Sequence, residues 1–187
     1  MQNKNPLVEP KLAKALAAAL AEQPKMTLQA LAQAVGVSRA TLYRLAPTRD
    51  ALLKLLDDYS MACVHRVFDG ADLYSGTARE AMQRLIQAHM EQREFCAYLI
   101  ARSMGCEQQK EALDWSEVER QLQQLFLRGQ QAGEFRIDVP AAWMADMFGY
   151  FVLALCECER RGMVPRASMA HYFETFFLYG AEGPKLN

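Results

Sequence analysis

The sequence has too few glycines, prolines and cysteines for several common protein classes. Its 187 residues include 10 glycines and 7 prolines, fewer than an all-β chain needs for its hairpin turns. The five cysteines are odd in number and irregularly spaced, which argues against a disulfide framework and favours a reducing compartment. The longest apolar run, residues 147–156, has ten residues, whereas a membrane-spanning helix needs about 20. This run therefore predicts a buried core helix.

Motifs for phosphate binding, dinucleotide binding and hydrolysis are also missing. The patterns GxxxxGK, GxGxxG, HExxH and GxSxG do not occur, and no cysteines and histidines have the spacing of a zinc site. The apolar run at 15–21 is short and consists largely of alanine, so it does not resemble a secretory signal. We therefore expect a cytoplasmic protein that is not an enzyme and has no metal, cofactor or membrane partner.

Charge is distributed unevenly, although the formal net charge is only -1. Residues 1–56 contain eight basic and three acidic side chains, whereas the remaining residues contain 13 basic and 19 acidic ones. A basic segment joined to an acidic one is typical of a chain that binds nucleic acid through the basic part.

Apolar residues recur at helical spacing along nearly the whole chain, which predicts an all-α fold. Caps at Thr27, Ser38 and Thr48 begin helices that end near residues 34, 45 and 68. The other predicted helices span 10–22, 78–92, 94–104, 109–131, 140–161 and 166–180, and residues 69–77 form a loop. We expect a DNA-binding head at 1–50 and a helical body at 51–187, joined by the helix that begins at Thr48.

Residues 28–47 match a helix-turn-helix motif. Gly36 falls at the turn, where a positive φ costs glycine little, and Ala32 falls where the helices cross closely. Five apolar residues fall where the two helices share a core: Leu31, Val35, Val37, Leu42 and Leu45. A helical corner without a DNA role is the alternative, and the basic residues of the second helix argue against it.

The second helix of such a motif lies in the major groove. Arg39 can donate two hydrogen bonds to guanine, and Tyr43 can bind a phosphate. Thr48 and Arg49 begin the next helix, whose free N–H groups suit a phosphate. The predicted DNA-binding residues are Thr27, Ser38, Arg39, Ala40, Thr41, Tyr43, Arg44, Thr48 and Arg49.

The stretch at 27–53, TLQALAQAVGVSRATLYRLAPTRDALL, resembles the TetR family of transcriptional regulators. The matching residues are Thr27, Leu31, Ala32, Gly36, Val37, Ser38, Thr41, Leu42, Tyr43, Thr48, Arg49, Leu52 and Leu53. Ala40 replaces the usual glycine of the family, and Leu45 and Ala46 replace the usual histidine and phenylalanine. The resemblance implies a homodimer that binds a palindromic operator, most often as a repressor, and that a small molecule releases from DNA.

The resemblance also implies a ligand pocket surrounded by the helices of residues 78–131. An apolar or aromatic effector would fit the residue types there, with His89, Arg102 or Tyr98 as polar anchors. The candidate lining residues are Met61, Leu85, Ile86, His89, Met90, Phe95, Tyr98, Arg102, Trp115, Phe126 and Tyr150. The alternative is that these side chains are ordinary core, and for His89 a buried, hydrogen-bonded role is the favoured one.

Two strongly apolar stretches, 143–156 and 169–179, have more apolar surface than the core of one small helical body can bury. Pairing with a second copy would bury both in a four-helix interface, which agrees with the homodimer that the resemblance implies. The candidate interface residues are Phe148, Phe151, Val152, Leu155, Tyr172, Phe173, Phe176 and Phe177. The alternative is a monomer that uses both helices as core.

Two other functions stay open at this point. One is a helical small-molecule-binding protein or enzyme with a vestigial head, which predicts turnover of a ligand and no sequence-specific DNA binding. The other is an adaptor whose helical pair binds a protein, which predicts that Arg39 and Arg44 are dispensable.

Overall fold

The structure, a computed structural model, describes residues 9–104 and 113–181. Within these ranges the regular elements are helices, with no β-strand, as the sequence predicts. The first eight helices are α1 (Pro10–Glu22), α2 (Leu28–Ala34), α3 (Arg39–Leu45), α4 (Arg49–Ala71), α5 (Ala78–Glu91), α6 (Arg93–Met104), α7 (Ser116–Gln131) and α8 (Ala141–Arg160). A 3-10 turn at Arg166–Ser168 precedes the C-terminal helix, which consists of α9 (Met169–Phe173), a π-helical turn (Glu174–Leu178) and α10 (Tyr179–Ala181).

Most helix boundaries agree with the prediction, and three differ. Helix α4 continues to Ala71, three residues beyond the predicted end. Of the predicted helix at 109–131, residues 109–112 lie outside the described residues, and the helix begins only at Ser116. The Ser116 N–H donates a hydrogen bond to Asp114 Oδ1 at 3.1 Å. The predicted helix at 166–180 is interrupted by its 3-10 and π-helical turns.

The described chain divides into two compact units. The first contains residues 9–63 together with 94–104 and 113, and the second contains residues 64–93 and 114–181. Helix α4 contributes to both, as the sequence predicts for the helix that begins at Thr48. The functional division after residue 50 stays a prediction, since these units are defined by packing rather than by binding.

The first unit buries the apolar faces of its short helices around α4 and α6. Leu16, Leu52 and Leu56 have no exposed surface. Contacts of α6 with α1 and α4 include an ion pair and a ring contact: Lys14 Nζ lies 3.2 Å from Glu94 Oε2, and the rings of Tyr59 and Phe95 lie 5.3 Å apart.

The second unit has an aromatic core formed by α5, α7, α8 and the C-terminal helix. Phe126, Phe148 and Phe173 are at most 1% exposed. The Phe148 ring lies 5.0 Å from that of Phe173, and the Phe126 ring lies 5.6 Å from that of Phe135. Gly129 allows Phe135 to pack here, because a Cβ at Gly129 would lie 2.1 Å from the Phe135 ring.

Helix α8 contains the apolar run that the sequence predicts to be a core helix. In the described chain it is the one helix long and apolar enough to cross a membrane by length and composition. Its residues Met144, Phe148, Val152 and Leu155 are buried within the second unit. This burial confirms the core assignment for one face of the helix.

Candidate DNA interface and effector region

The helix-turn-helix motif is formed by α2, α3 and the turn between them. The Thr27 hydroxyl accepts a hydrogen bond from the Ala30 N–H at 3.2 Å and caps α2. The Ser38 hydroxyl accepts one from the Thr41 N–H at 3.0 Å and caps α3. Gly36 has a φ of +72°, the left-handed conformation that its place in the turn predicts.

The shared core of the motif is smaller than its apolar sequence indicates. Leu31, Ala32 and Leu42 are 0–3% exposed, whereas Val35, Val37 and Leu45 are half-buried. Ala46 stands where the family usually has phenylalanine, and it is 1% exposed. A small residue is therefore packed in the place of a ring at the end of α3.

The exposed face of α3 presents polar side chains. The Arg39 guanidinium carbon lies 5.3 Å from the centre of the Tyr43 ring, and Arg39 Nη2 donates a hydrogen bond to the Tyr43 hydroxyl at 3.4 Å. Ser38, Ala40 and Arg44 are also exposed. The contact places the Arg39 guanidinium beside the ring of Tyr43, one turn along the same helix.

Thr41 is half-buried, and its hydroxyl lies 2.8 Å from that of Ser38. The hydroxyls of Thr27, Ser38 and Thr48 are engaged in capping, and Thr48 accepts its bond from the Ala51 N–H at 3.1 Å. These residues position the helices, and their DNA contacts stay a prediction.

Arg49 differs from the other predicted DNA-binding residues. Its Nε donates to the Met26 carbonyl at 3.1 Å, and its Nη2 donates to the Pro24 carbonyl. The residue is half-buried. The structure therefore directs this guanidinium to the link between α1 and α2, whereas the sequence predicted a phosphate contact for Arg49 at the start of α4.

Four of the candidate effector residues lie in the first unit: Met61, Phe95, Tyr98 and Arg102. Arg102 and Tyr98 both bind Asp57, a residue that the sequence reasoning missed. Arg102 Nη2 donates to Asp57 Oδ2 at 2.8 Å, and the Tyr98 hydroxyl donates to Asp57 Oδ1 at 2.7 Å. Asp57 lies four residues after Leu53 and three before Ser60, on the buried face of α4. This helical spacing was the sequence signal that could have identified Asp57 as a buried carboxylate in need of a partner.

The two polar partners of Asp57 have shifted pKa values. Burial raises the pKa of Tyr98 well above its usual range, and the charge of Asp57 raises it further. The hydrogen bond to Asp57 raises the pKa of the Arg102 guanidinium. Tyr98 is therefore a neutral donor, and both predicted polar anchors already have an internal partner.

His89 is buried in the second unit. Its Nδ1 lies 2.8 Å from the Leu85 carbonyl oxygen. Since a carbonyl can only accept, Nδ1 bears the proton. The ring meets Phe68 at 5.5 Å and Phe148 at 5.1 Å, edge to face, and burial lowers the pKa of His89 to about 4. The histidine is neutral and hydrogen-bonded in the core, which confirms the structural role predicted for it.

The remaining candidate effector residues of the second unit have different environments. Leu85, Ile86, Met90 and Phe126 are 0–7% exposed. Trp115 is half-buried, and Tyr150 is 51% exposed. Tyr150 lines a surface groove instead of the interior.

That groove, called the aromatic groove below, has a volume of about 530 Å³ and lies along α8 and the C-terminal helix. It is lined by Arg136, Val139, Trp143, Met144, Met147, Tyr150, Phe151, Ala154, Phe176, Phe177, Gly180 and Ala181. Of the predicted interface residues, Phe151, Phe176 and Phe177 belong to it. Trp143, Met147 and Ala154 also line the groove, and they lie within the apolar stretch that motivated the predicted interface. Whether the groove is that interface stays a prediction.

Four other predicted interface residues need correction. Phe148, Val152, Leu155 and Phe173 are 0–7% exposed within the single chain. They pack in the core of the second unit, so they offer a partner little surface. Tyr172 is 37% exposed and is not among the residues that line the groove.

No protein-family model matches the sequence. The chain is 39% identical over 176 residues to the HTH-type transcriptional regulator NfxB of Pseudomonas aeruginosa, and the match covers 93% of this chain and 94% of the relative.

Solved structures of other regulators have a similar fold. The TetR-like transcriptional regulator LfrR from Mycobacterium smegmatis has a TM-score of 0.72 at 21% identity, covering 91% of this chain and 93% of that chain. LfrR in complex with proflavine has a TM-score of 0.66 at 22% identity, with the same coverage. The ketosteroid transcriptional regulator KstR2 of Mycobacterium tuberculosis has a TM-score of 0.68 at 14% identity, covering 92% and 93%.

Proposed function

The chain belongs to the family of the HTH-type transcriptional regulator NfxB and has the fold of TetR-like regulators. From this premise we propose that it is a cytoplasmic, homodimeric repressor of the TetR type. In this proposal a small apolar or aromatic effector releases the dimer from a palindromic operator. The chain has no enzymatic activity of its own, and the head reads DNA.

The observation on which this proposal depends is the polar face of α3. Arg39, Tyr43 and Arg44 are exposed, and no acidic residue occurs between Glu22 and Asp50. The second helix of the motif lies in the major groove in other proteins. Arg39 would bind a guanine there, and Tyr43 would bind a phosphate.

The aromatic groove supports the homodimer. Trp143, Tyr150 and Phe176 are 54%, 51% and 72% exposed, which is unusual for large apolar side chains on one surface. A second copy of α8 and the C-terminal helix would cover them. Two heads would then contact two half-sites about one helical turn apart, roughly 34–36 Å.

Helix α4 supports the response to an effector, because it is continuous from Arg49 to Ala71 and contributes to both units. An effector that binds one position of α4 better than another shifts the dimer between two head spacings. A coupling free energy of about 1–3 kcal/mol is typical and changes operator affinity roughly 5–150-fold. The complex of LfrR with proflavine shows that one protein of this fold binds a small molecule.

Selection of duplex fragments from a random pool, followed by sequencing, tests the proposal. Purified full-length protein should retain a palindromic consensus whose half-sites are about one helical turn apart. Retention of DNA without a consensus, lost steeply as salt is added, would contradict a sequence-specific regulator and favour the enzyme or adaptor alternatives.

Variants of α3 then assign the contacts. Arg39→Ala should weaken binding by about 1–3 kcal/mol and relax the preference at one base position. Tyr43→Phe should weaken binding to all sequences about equally, since a phosphate contact reads no base. The control is Arg66→Ala, which removes an exposed arginine of α4 outside the head. A uniform loss for Arg39→Ala would assign Arg39 to the phosphate instead.

A further inference from the structure

The guanidinium of Arg49 joins the N-terminal ends of two helices of the head. Arg49 is the first residue of α4, and its Nε donates to the Met26 carbonyl at 3.1 Å. Its Nη2 donates to the carbonyl of Pro24. Met26 directly precedes Thr27, the cap of α2. One side chain therefore connects the start of α4 to the start of the helix-turn-helix motif.

We propose that Arg49 is a positioning residue that fixes the helix-turn-helix motif on α4 and thereby sets the spacing of the two heads on DNA. The residue acts through the α1–α2 link and not as a phosphate ligand. This inference rests on the operator-bound dimer proposed above.

The chemistry of the contact requires arginine. A guanidinium has donors in a rigid planar fork, so it can bind two carbonyls of nearby residues at once. An ammonium group is a point charge on a flexible stem and cannot reproduce both directions. A lysine at this position would keep the positive charge and lose the two-point geometry.

Electrostatics at the start of α4 also favour this arrangement. The N-terminus of a helix has a partial positive charge, so a cation in the first turn is unfavourable there. The carbonyl oxygens of Pro24 and Met26 are the negative ends of peptide dipoles, and hydrogen bonds to them compensate the guanidinium charge. By contrast, Arg39 contacts Tyr43 within its own helix and is exposed.

The consequence concerns how α4 moves the head. If the Arg49 bonds hold, a displacement of α4 also displaces α2 and α3. Without these bonds, Thr48 still caps α4 through the Ala51 N–H and Thr27 still caps α2, so both helices persist while their mutual orientation loosens. The loss would appear as tolerance of altered half-site spacing.

The experiment compares full-length wild type, Arg49→Lys and Arg49→Gln on the selected consensus duplex. Affinity is measured across a range of KCl concentrations, and then on duplexes with one base pair added or removed between the half-sites. The control is Lys25→Gln, which removes one charge from the same exposed link and leaves the Arg49 bonds in place. Thermal unfolding checks that each variant is folded.

We expect both Arg49 variants to lose about tenfold in affinity, as for a lost charge-assisted hydrogen bond. The slope of log affinity against log salt should stay that of wild type, and the penalty for altered spacing should shrink. If Arg49→Gln does not fold, Arg49→Lys decides alone, because a phosphate ligand keeps its charge in that variant and a positioning residue loses its geometry.

Two results would overturn the inference. One is wild-type affinity and spacing preference in Arg49→Lys, together with a salt slope reduced by about 0.9 in Arg49→Gln, which is the signature of one phosphate contact. The other is wild-type behaviour of both variants. A wild-type chain that selects no spaced half-sites would instead refute the proposed operator at the preceding step, so the two failures are distinguishable.

Discussion

Arg102 binds the carboxylate of Asp57 through two hydrogen bonds, Nε to Oδ1 at 3.2 Å and Nη2 to Oδ2 at 2.8 Å. The pair connects α6 to α4 within the first unit, and its side chains are 16% and 12% exposed. Tyr98 adds a third hydrogen bond to the same carboxylate. The packing of α4 on α6 thus includes the charged carboxylate of Asp57, which is stable in the buried position only while Arg102 and Tyr98 bind it.

Arg102→Met should destabilise the protein by roughly 2–4 kcal/mol, because it leaves the Asp57 carboxylate buried without its cation. The double variant Asp57→Leu with Arg102→Met should recover most of this loss, since it removes both charges and keeps apolar volume. In that variant the Tyr98 hydroxyl can still donate its hydrogen bond to the Leu53 carbonyl, 3.4 Å away. Urea denaturation measures both values. A double variant no more stable than Arg102→Met would show that packing, and not the unpaired charge, determines the effect.

The local structure of the head was predictable from sequence because it depends on neighbouring residues. Thr27, Ser38 and Thr48 each accept a hydrogen bond from the N–H three residues later, as cap residues do at the start of a helix. Helix α1 ends at Glu22, shortly before Pro24, at the predicted residue. Such signals need no knowledge of distant contacts.

The tertiary partners were not predictable in the same way. The contact between Asp57 and Arg102 joins residues 45 positions apart, and no local pattern specifies it. Helix α8 is apolar nearly all round, so its periodicity does not distinguish the face with Phe148, which is buried, from the face with Tyr150, which is exposed. The predicted interface therefore mixed residues of both faces.

The buried His89 predicts a loss of stability in acid. Its pKa in the folded chain is about 4, whereas the ordinary histidine value, which applies to the unfolded chain, is 6.5. The unfolded chain therefore binds the proton more tightly. The contribution of the neutral ring is fully present above pH 6.5 and is lost as the pH falls towards 4. The loss over this window should be on the order of 3 kcal/mol.

The matched variant is His89→Asn, whose amide can still donate to the Leu85 carbonyl and does not titrate. Free energies of unfolding, measured by urea denaturation between pH 7 and pH 4.5, should fall more steeply for wild type than for this variant. Parallel curves would mean that His89 does not titrate differently in the folded and unfolded chain.

The contact of Gly129 with Phe135 predicts that adding a single methyl group at Gly129 destabilises the fold. Gly129→Ala would place a Cβ 2.1 Å from the Phe135 ring, and both residues are buried in the second unit. Overpacking of this kind typically costs about 1–3 kcal/mol. The control is Gly70→Ala in α4, where a Cβ meets no atom within 4 Å, and alanine should stabilise the helix by about 0.5–1 kcal/mol. Thermal unfolding should give a lower Tm than wild type for Gly129→Ala and a higher Tm for Gly70→Ala, which would confirm the contact. Equal changes in Tm for the two variants would contradict it.

The aromatic groove predicts a variant that separates the two chains without unfolding either. Phe176 is 72% exposed and lines the groove, so Phe176→Glu should leave the core of one chain intact. In a homodimer that covers the groove, the same carboxylate would be buried among apolar side chains, because the guanidinium of Arg136, which also lines the groove, is already bound to Asp138. Burial of such a carboxylate costs several kcal/mol. Light scattering should then give the mass of one chain, 21.1 kDa, where wild type gives twice that value.

Leu127→Glu is the control, because Leu127 is also exposed, at 47%, and is not among the groove-lining residues. Equal masses for the two variants, with both folded, would contradict the groove as the dimer interface and direct attention to another surface of the body.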